Sequence, residues 1–166
     1  MRKKLSIFFA LLAVLAVLMP TWVEAKTATL KIDSNTTGMT KAEKSVYKKM
    51  KAMKKKYPEG KKWTDSKYYE WKGGYYTGGY GCAAFAFKVS DAAFGDKPCR
   101  VHKSFKKIKV GDIVNIDYGA HYVIVMKVVG KKYVVAEGNY DRKVHWGRVM
   151  SYKEIKQTGK RVFTRW

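Results

Sequence analysis

The segment that most constrains the fold is a glycine-rich aromatic loop that runs directly into an apolar helix. It extends from Tyr69 to Phe94 and places Cys82 where the loop gives way to the helix. The residues from Ala83 to Phe94 are apolar almost all round, and Gly95 provides a stop signal. We therefore expect a buried helix whose first residue, Cys82, lies at the surface.

This position makes Cys82 a candidate nucleophile. The unpaired backbone N–H groups and the macrodipole at a helix N-terminus favour the thiolate, which is the reactive form of cysteine. The loop glycines allow backbone angles that are closed to other residues and let a substrate backbone approach closely. The alternative is an inert packing thiol, because free cysteine is among the most buried residue types.

A second alternative is a disulfide between Cys82 and Cys99, the two cysteines of the chain. Such bridges are common in exported proteins. However, a helix from Cys82 to Gly95 would separate its ends by about 20 Å, whereas a bridge requires a Cα separation below about 7 Å. We therefore expect Cys82 to remain a free thiol.

Residues 1–25 have the pattern of a secretory signal peptide. Arg2, Lys3 and Lys4 form a basic start, Leu5–Met19 an apolar run, and Val23–Ala25 a small-residue cleavage site. The apolar run is shorter than the roughly 20 residues that span a bilayer, although an uncleaved anchor is the alternative. We expect export, no membrane span after cleavage, and a mature chain of a size that suits one domain.

The charge is strongly positive. The full chain carries a formal net charge of +22, and removal of residues 1–25 lowers it by two, to +20. Such a field attracts anionic polymers, although the surplus lysine can equally serve solubility alone. Lysine far outnumbers arginine, the residue that reads base edges by paired hydrogen bonds, which argues against sequence-specific nucleic-acid recognition.

Residues 26–62 are expected to form a leader followed by a basic amphipathic helix. Thr40 and Glu43 have the spacing of a capping box, and apolar residues then recur at helical intervals to about Lys56. This pattern predicts a helix that docks on the core with its lysines in solvent. A helix lying on a membrane surface is the alternative.

From Ile108 onward the chain has a β pattern, and one predicted hairpin brings polar side chains together. His121 opens a strand to Val129, Gly130–Lys132 forms the turn, and the chain returns to Glu137 and Asn139. Residues equidistant from the turn pair across a hairpin, so His121 should lie at the same sheet edge as Glu137 and Asn139. An imidazole oriented by a carboxylate or amide can activate a thiol. The alternative is that solvent alone satisfies His121.

The remaining C-terminal patterns predict structure rather than chemistry. His145 either lines the cleft or alternates on a strand, and we favour the strand; His102 has no comparable setting. The cysteine and histidine spacing is not that of a zinc site, so we expect neither a metal nor another cofactor. Ser151–Gln157 should form a short helix, and Arg161–Trp166 a final edge strand.

Taken together, these segments resemble the CHAP-type and NlpC-type cell-wall peptidases and amidases of the papain-like superfamily. The resemblance spans roughly residues 63–166. It rests on the Trp71, Gly73 and Gly74 segment, Gly79–Cys82 with its helix, Gly111–Val114, and His121 at the start of a strand. It implies an α+β fold in which the nucleophile-bearing helix packs on a small antiparallel sheet.

The resemblance also implies roles for individual residues. Cys82 would be the nucleophile, His121 the base, Glu137 the residue that orients it, and Asn139 a further polar support. The substrate would be peptidoglycan and the location extracellular, at a bacterial cell wall, with anionic wall polymers as further partners and the protein a monomer. The expected substrate contacts are Tyr69, Trp71, Tyr80 and Trp146.

Two other functions remain open at the level of sequence. A secreted cationic module could bind wall or glycan on the same fold without turnover, using the aromatic loop. Binding of extracellular nucleic acid or lipid by charge alone is the third possibility, and it would need no role for Cys82.

Overall fold

The computed structural model describes residues 28–30 and 32–166; the predicted signal peptide, residues 1–25, lies outside the described residues. In these ranges the α-helices are Lys41–Ala52 (α1), Gly81–Phe94 (α2) and Tyr152–Thr158 (α3). The strands are Tyr68–Glu70 (β1), Gly78–Tyr80 (β2), Arg100–His102 (β3), Ile113–Ile116 (β4), His121–Val129 (β5), Lys132–Tyr140 (β6), Lys143–Ser151 (β7) and Arg161–Thr164 (β8). The predicted α+β class is confirmed.

Helix α1 begins at the predicted capping box. The Thr40 hydroxyl accepts from the Glu43 N–H at 3.2 Å, and the Glu43 carboxylate accepts from the Thr40 N–H at 2.9 Å. The helix buries Val46, Tyr47 and Met50 in the same hydrophobic cluster as the residues of α2. The prediction of a helix docked on the core is therefore confirmed.

The main sheet has six antiparallel strands in the order β3-β8-β4-β5-β6-β7, and β1 and β2 form a separate pair. Strands β5 and β6 form the predicted hairpin, with Val129 opposite Lys132 and Ile124 opposite Ala136. The prediction that the last strand lies at an edge was wrong, because β8 lies between β3 and β4. The three-residue β3 is too short to show a strand periodicity, and it covers the side of β8 that would otherwise be an edge.

Alternation along the strands sends apolar side chains to both faces of the sheet. On one face, Ile124, Val134 and Phe163 pack with Phe85 and other residues of α1 and α2. On the other face, Val123, Val135 and Val162 pack with Ile155 of α3. Helix α2 is therefore held against the centre of the sheet.

Two close approaches set the position of β6 and of the leader. A Cβ on Gly138 would lie 2.5 Å from Phe85 Cβ and 2.7 Å from Trp63 Cδ1, so only glycine lets β6 pass this close to α2. A Cβ on Gly147 would lie 2.1 Å from the Leu30 carbonyl oxygen, where residues 28–30 hydrogen-bond along β7. Of the helices in the described ranges, none has the length and apolar character that crossing a membrane requires.

Candidate active site

The candidate nucleophile, Cys82, is the second residue of α2 and is partly exposed. Tyr80 is the N-cap residue, and its side chain does not cap the helix. The Gly81 N–H donates to the Lys67 carbonyl at 2.9 Å, and the N–H groups that follow it in the first turn can serve the sulfur and a ligand. Gly81 reaches the helix with φ of +54°, a left-handed conformation that favours glycine. The left-handed conformation of Gly81 lets the backbone turn from the loop into α2.

His121 is the first residue of β5, and its imidazole joins Cys82 to Glu137. Its Nε2 lies 2.8 Å from Glu137 Oε2, which leaves Nδ1 for the thiol. Despite burial, the interaction of the imidazole with the Cys82 side chain lowers the pKa of the thiol. The side chain of His121 is 15% exposed and that of Glu137 is 0% exposed. The predicted juxtaposition of His121 and Glu137 at one end of the hairpin is present in the structure.

Glu137 is held by an arginine that the sequence analysis did not single out. Arg148 on β7 donates from Nε to Oε1 and from Nη2 to Oε2 of Glu137, both at 2.8 Å. A two-point contact of this kind fixes the plane of the carboxylate. Arg148 therefore completes a chain of contacts from Cys82 through His121 and Glu137. A single arginine within the otherwise apolar run from Trp146 to Met150 was its only signal in the sequence.

The electrostatic interactions among Cys82, His121, Glu137 and Arg148 favour the charged forms of Cys82 and His121. Burial raises the pKa of Cys82, but the hydrogen bond and charge of His121, with the N–H groups of Tyr122 and Ala83, outweigh it, so the thiol pKa is lowered. Burial lowers the pKa of His121, but Cys82 and Glu137 raise it by a larger amount, so that the pKa is about 9. Burial likewise raises the pKa of Glu137, yet its bonds to His121 and Arg148 leave it lowered. These interactions shift the pair toward a thiolate beside an imidazolium.

Asn139 has a different partner from the one expected. Its amide donates to Asp65 Oδ1 at 2.6 Å. The ladder between β6 and β7 shifts register after Glu137, and Asn139 has φ of +58°, so the strict alternation that would align it with Glu137 is interrupted. Glu137 is thus the residue that orients the imidazole, while Asn139 and Asp65 lie beside Gly81.

The four aromatic residues predicted to contact substrate separate into two groups. Trp71 and Trp146 are 3% and 2% exposed and belong to the core, which corrects that expectation for both. Trp71 stacks on Phe87 with ring centroids 4.1 Å apart, and the Trp146 indole donates to the Tyr57 carbonyl at 2.7 Å. Both large apolar side chains therefore pack inside the protein and do not face a substrate.

The two tyrosines are more accessible, but only one lies near the sulfur. Tyr80 is 63% exposed and immediately precedes Gly81. The Lys88 ammonium lies 4.2 Å from the centroid of the Tyr69 ring, and burial and the nearby Asp91 raise the pKa of Tyr69 to about 12. Asp91 lies nine residues along α2 from Cys82, about 14 Å away along the helix axis. Tyr69 is therefore remote from the nucleophile.

The other candidates have structural partners. His145 lies on β7, with Nδ1 2.7 Å from Glu59 Oε1, in agreement with the strand interpretation. Cys99 is a free thiol, as is Cys82, and burial raises the Cys99 pKa to about 11. Within residues 28–30 and 32–166, no three histidine, cysteine, aspartate or glutamate side chains are grouped so that they could hold a metal ion.

A tyrosine cluster near the thiol was also not predicted from the sequence. The Tyr122 backbone N–H helps to lower the pKa of Cys82, and burial together with the nearby Tyr76 hydroxyl raises the pKa of Tyr122. Arg161 Nη1 lies 3.4 Å from the hydroxyls of both Tyr75 and Tyr76. These residues come from three separate parts of the chain, so no local pattern links them.

Comparison with known proteins places few constraints on function. No family model matches the chain, and no curated protein matches it. Among solved structures, it is similar to the crystal structure of Ly7917, with a TM-score of 0.49 and 15% identity over 74% of this chain and 62% of that one. For the crystal structure of Ly7917 with the hydrolyzing product of MDP, the TM-score is 0.37 and the identity 21%, over 46% and 37% of the two chains. The chain thus spans less than two thirds of both neighbours, and its function has to be inferred from the site.

Proposed function

We propose that this protein is a secreted cysteine hydrolase that cleaves amide bonds in peptidoglycan, as a peptidase or an amidase. The observation that carries the proposal is the partly exposed thiol at the start of α2 beside His121, whose Nε2 is held by the buried Glu137 at 2.8 Å. A nucleophile, a base and a group that orients the base are the parts that acyl transfer requires.

The proposed reaction has two steps. The Cys82 thiolate attacks the amide carbonyl, the carbon–nitrogen bond breaks, and His121 gives its proton to the leaving amine. Water then attacks the thioester while His121 accepts a proton from it, and the carbon–sulfur bond breaks to release the acid and restore the Cys82 thiolate beside the His121 imidazolium. The Cys82 backbone N–H and the Tyr80 hydroxyl are the proposed donors to the oxyanion.

The choice of peptidoglycan rests on the resemblance of the loop, helix and His121 segments to cell-wall peptidases and amidases. The net charge of +22 is consistent with it, because bacterial walls carry anionic polymers that a cationic protein would bind. In this proposal the protein acts as an extracellular monomer at the wall, with Tyr80 contacting substrate. Residues 26–62 would precede a catalytic region of residues 63–166.

The direct test is digestion of purified peptidoglycan, with the products identified by mass. Cys82→Ala and His121→Ala should each lower the rate by roughly 10³-fold or more while retaining the fold, as judged by circular dichroism. Cys99→Ala is the matched control and should leave the rate unchanged. Undigested wall with the wild-type protein, or digestion that survives Cys82→Ala, would contradict the proposal.

Alkylation separates the hydrolase from a binding module on the same fold. Iodoacetamide should modify Cys82 rapidly near neutral pH because its pKa is lowered, and it should leave Cys99 largely unmodified because that pKa is about 11. Equal rates at the two thiols would favour the binding module.

A further inference from the structure

A cleft of about 750 Å³ opens on the surface where the loop before β1 faces the end of β6. Its lining includes Lys62, Asp65, Lys67, Asn139 and Arg142. The volume lies within the range of sites that bind small ligands, roughly 300–1,000 Å³. Of these five residues, the sequence pattern predicts a role only for Asn139.

The cleft adjoins the candidate nucleophile through Gly81, the residue before Cys82. A Cβ on Gly81 would lie 2.6 Å from Asp65 Oδ1 and 3.4 Å from Asn139 Nδ2, so both cleft residues touch the base of α2. The Gly81 N–H donates to the Lys67 carbonyl at 2.9 Å. The cleft therefore lies against the residue that immediately precedes the candidate nucleophile.

The charge of the cleft favours an anion. Lys62, Lys67 and Arg142 contribute three cations, and all three are exposed. The single carboxylate of the lining, Asp65, already accepts the Asn139 amide at 2.6 Å. The lining thus has a net charge of +2, and its lysine and arginine side chains are hydrogen-bond donors for an anion.

From this arrangement we infer that the cleft binds a carboxylate of the peptide substrate, next to the amide that Cys82 attacks. The inference rests on the proposed function for the identity of the substrate and adds a group that the substrate must carry. Lys67 and Arg142 are the recognising residues, and Asn139, held by Asp65, forms the wall between them and Cys82.

The test measures binding to the Cys82→Ala protein, so that turnover plays no part. The probes are a synthetic stem peptide that ends in a free carboxylate and the same peptide ending in a carboxamide. We expect the carboxylate form to bind roughly tenfold more tightly, since a charge-assisted contact at an exposed site is weakened by solvent. In the Cys82→Ala protein, the further changes Lys67→Gln and Arg142→Gln should abolish this preference.

Lys153→Gln with Lys156→Gln is the matched control. Both lysines are exposed on α3, which packs on the opposite face of the sheet from α2, and the pair lowers the net charge by the same amount. The preference should persist in this control. Equal binding of the two peptides by the Cys82→Ala protein, or loss of the preference in both pairs of variants, would overturn the inference.

A protection experiment tests whether the carboxylate lies beside the thiol. In the protein with Cys82 intact, the carboxylate peptide should slow alkylation of Cys82 by iodoacetamide more than the carboxamide does, and the Lys67→Gln, Arg142→Gln variant should remove the difference. Unequal binding without protection would overturn the placement. Neither readout requires hydrolysis, so a protein that protects Cys82 but leaves peptidoglycan uncut would contradict the proposed function alone.

Discussion

At the scale of single residues, the site depends on charges that hold one another in place. Glu137 is fully buried, and an isolated carboxylate there would be costly. It remains charged because Arg148 and His121 both donate to it. The same carboxylate raises the His121 pKa, and the imidazolium in turn lowers the pKa of Cys82. Removing any member should therefore change the titration of the others.

Glu137→Gln should shift the pH dependence of Cys82. In the wild-type protein the pair is a thiolate and an imidazolium from the lowered thiol pKa up to about 9. Without the carboxylate the imidazolium is less stable, so the His121 pKa should fall and the thiol pKa should rise. The measurement is the rate of Cys82 alkylation against pH, whose midpoint should move to higher pH.

Glu59→Gln is the control for this change, because Glu59 pairs with His145 at 2.7 Å in a similar contact elsewhere. It should leave the alkylation profile of Cys82 unchanged. A profile that is the same in the wild-type protein and in Glu137→Gln would show that Glu137 does not act on the pair.

Arg148→Gln should act through Glu137 rather than on substrate. It leaves a buried carboxylate with one partner fewer, and breaking a buried pair typically costs about 3–5 kcal/mol of unfolding free energy. Chemical denaturation measures this loss. Wild-type stability in Arg148→Gln would contradict the assignment.

The positioning role has a second readout, because the Glu137 pKa should rise without Arg148. Below that higher pKa the carboxylate is neutral and no longer stabilises the imidazolium. The alkylation profile of Cys82 in Arg148→Gln should therefore approach that of Glu137→Gln at its acid end. A purely structural role would lower stability and leave this profile unchanged.

At the scale of elements, the site exists because β6 packs directly on α2. Gly138 lies between Glu137 and Asn139, where a side chain would collide with Phe85 and Trp63. The strand that carries the carboxylate and the helix that carries the thiol are thus in direct contact at Gly138. The distance between the two elements controls the distance between their chemical groups.

Gly138→Ala should therefore reduce both stability and activity. Overpacking of a core contact costs typically about 1–3 kcal/mol, and the shift of β6 away from α2 should slow peptidoglycan digestion. Gly130→Ala is the control, since Gly130 lies in the β5–β6 turn with φ of +58° and open space around its Cα. It should lose about 1 kcal/mol from backbone strain and retain the wild-type rate. Equal loss of activity in both variants would show that the close approach has no special role.

At the scale of the whole molecule, the strongly positive net charge should affect association with anionic polymers rather than the chemistry. Binding of the Cys82→Ala protein to walls that carry anionic polymers should weaken steeply with salt, because the Debye length falls from about 10 Å at 0.1 M to about 3 Å at 1 M. Sedimentation with intact walls, and with walls stripped of their anionic polymers, measures this. Binding that is insensitive to salt, or equal on both kinds of wall, would contradict an electrostatic origin.

The sequence by itself determined the features that depend on neighbours along the chain. The capping box at Thr40, the helix that starts beside Cys82, and the hairpin that brings His121 and Glu137 to the same sheet edge all follow from local periodicity and turn chemistry. A short turn brings the far ends of both strands of a hairpin to one sheet edge, so this long-range contact could be inferred without a structure.

Tertiary structure alone decided which side chains meet across distant segments. It placed Arg148 on Glu137, turned Asn139 to Asp65, buried Trp71 and Trp146, and inserted β8 between β3 and β4. A tryptophan in a glycine-rich loop has the same local pattern whether it faces solvent or the core. The difference lies in apolar burial and charge pairing summed over the whole fold, to which residues far apart in the chain contribute together.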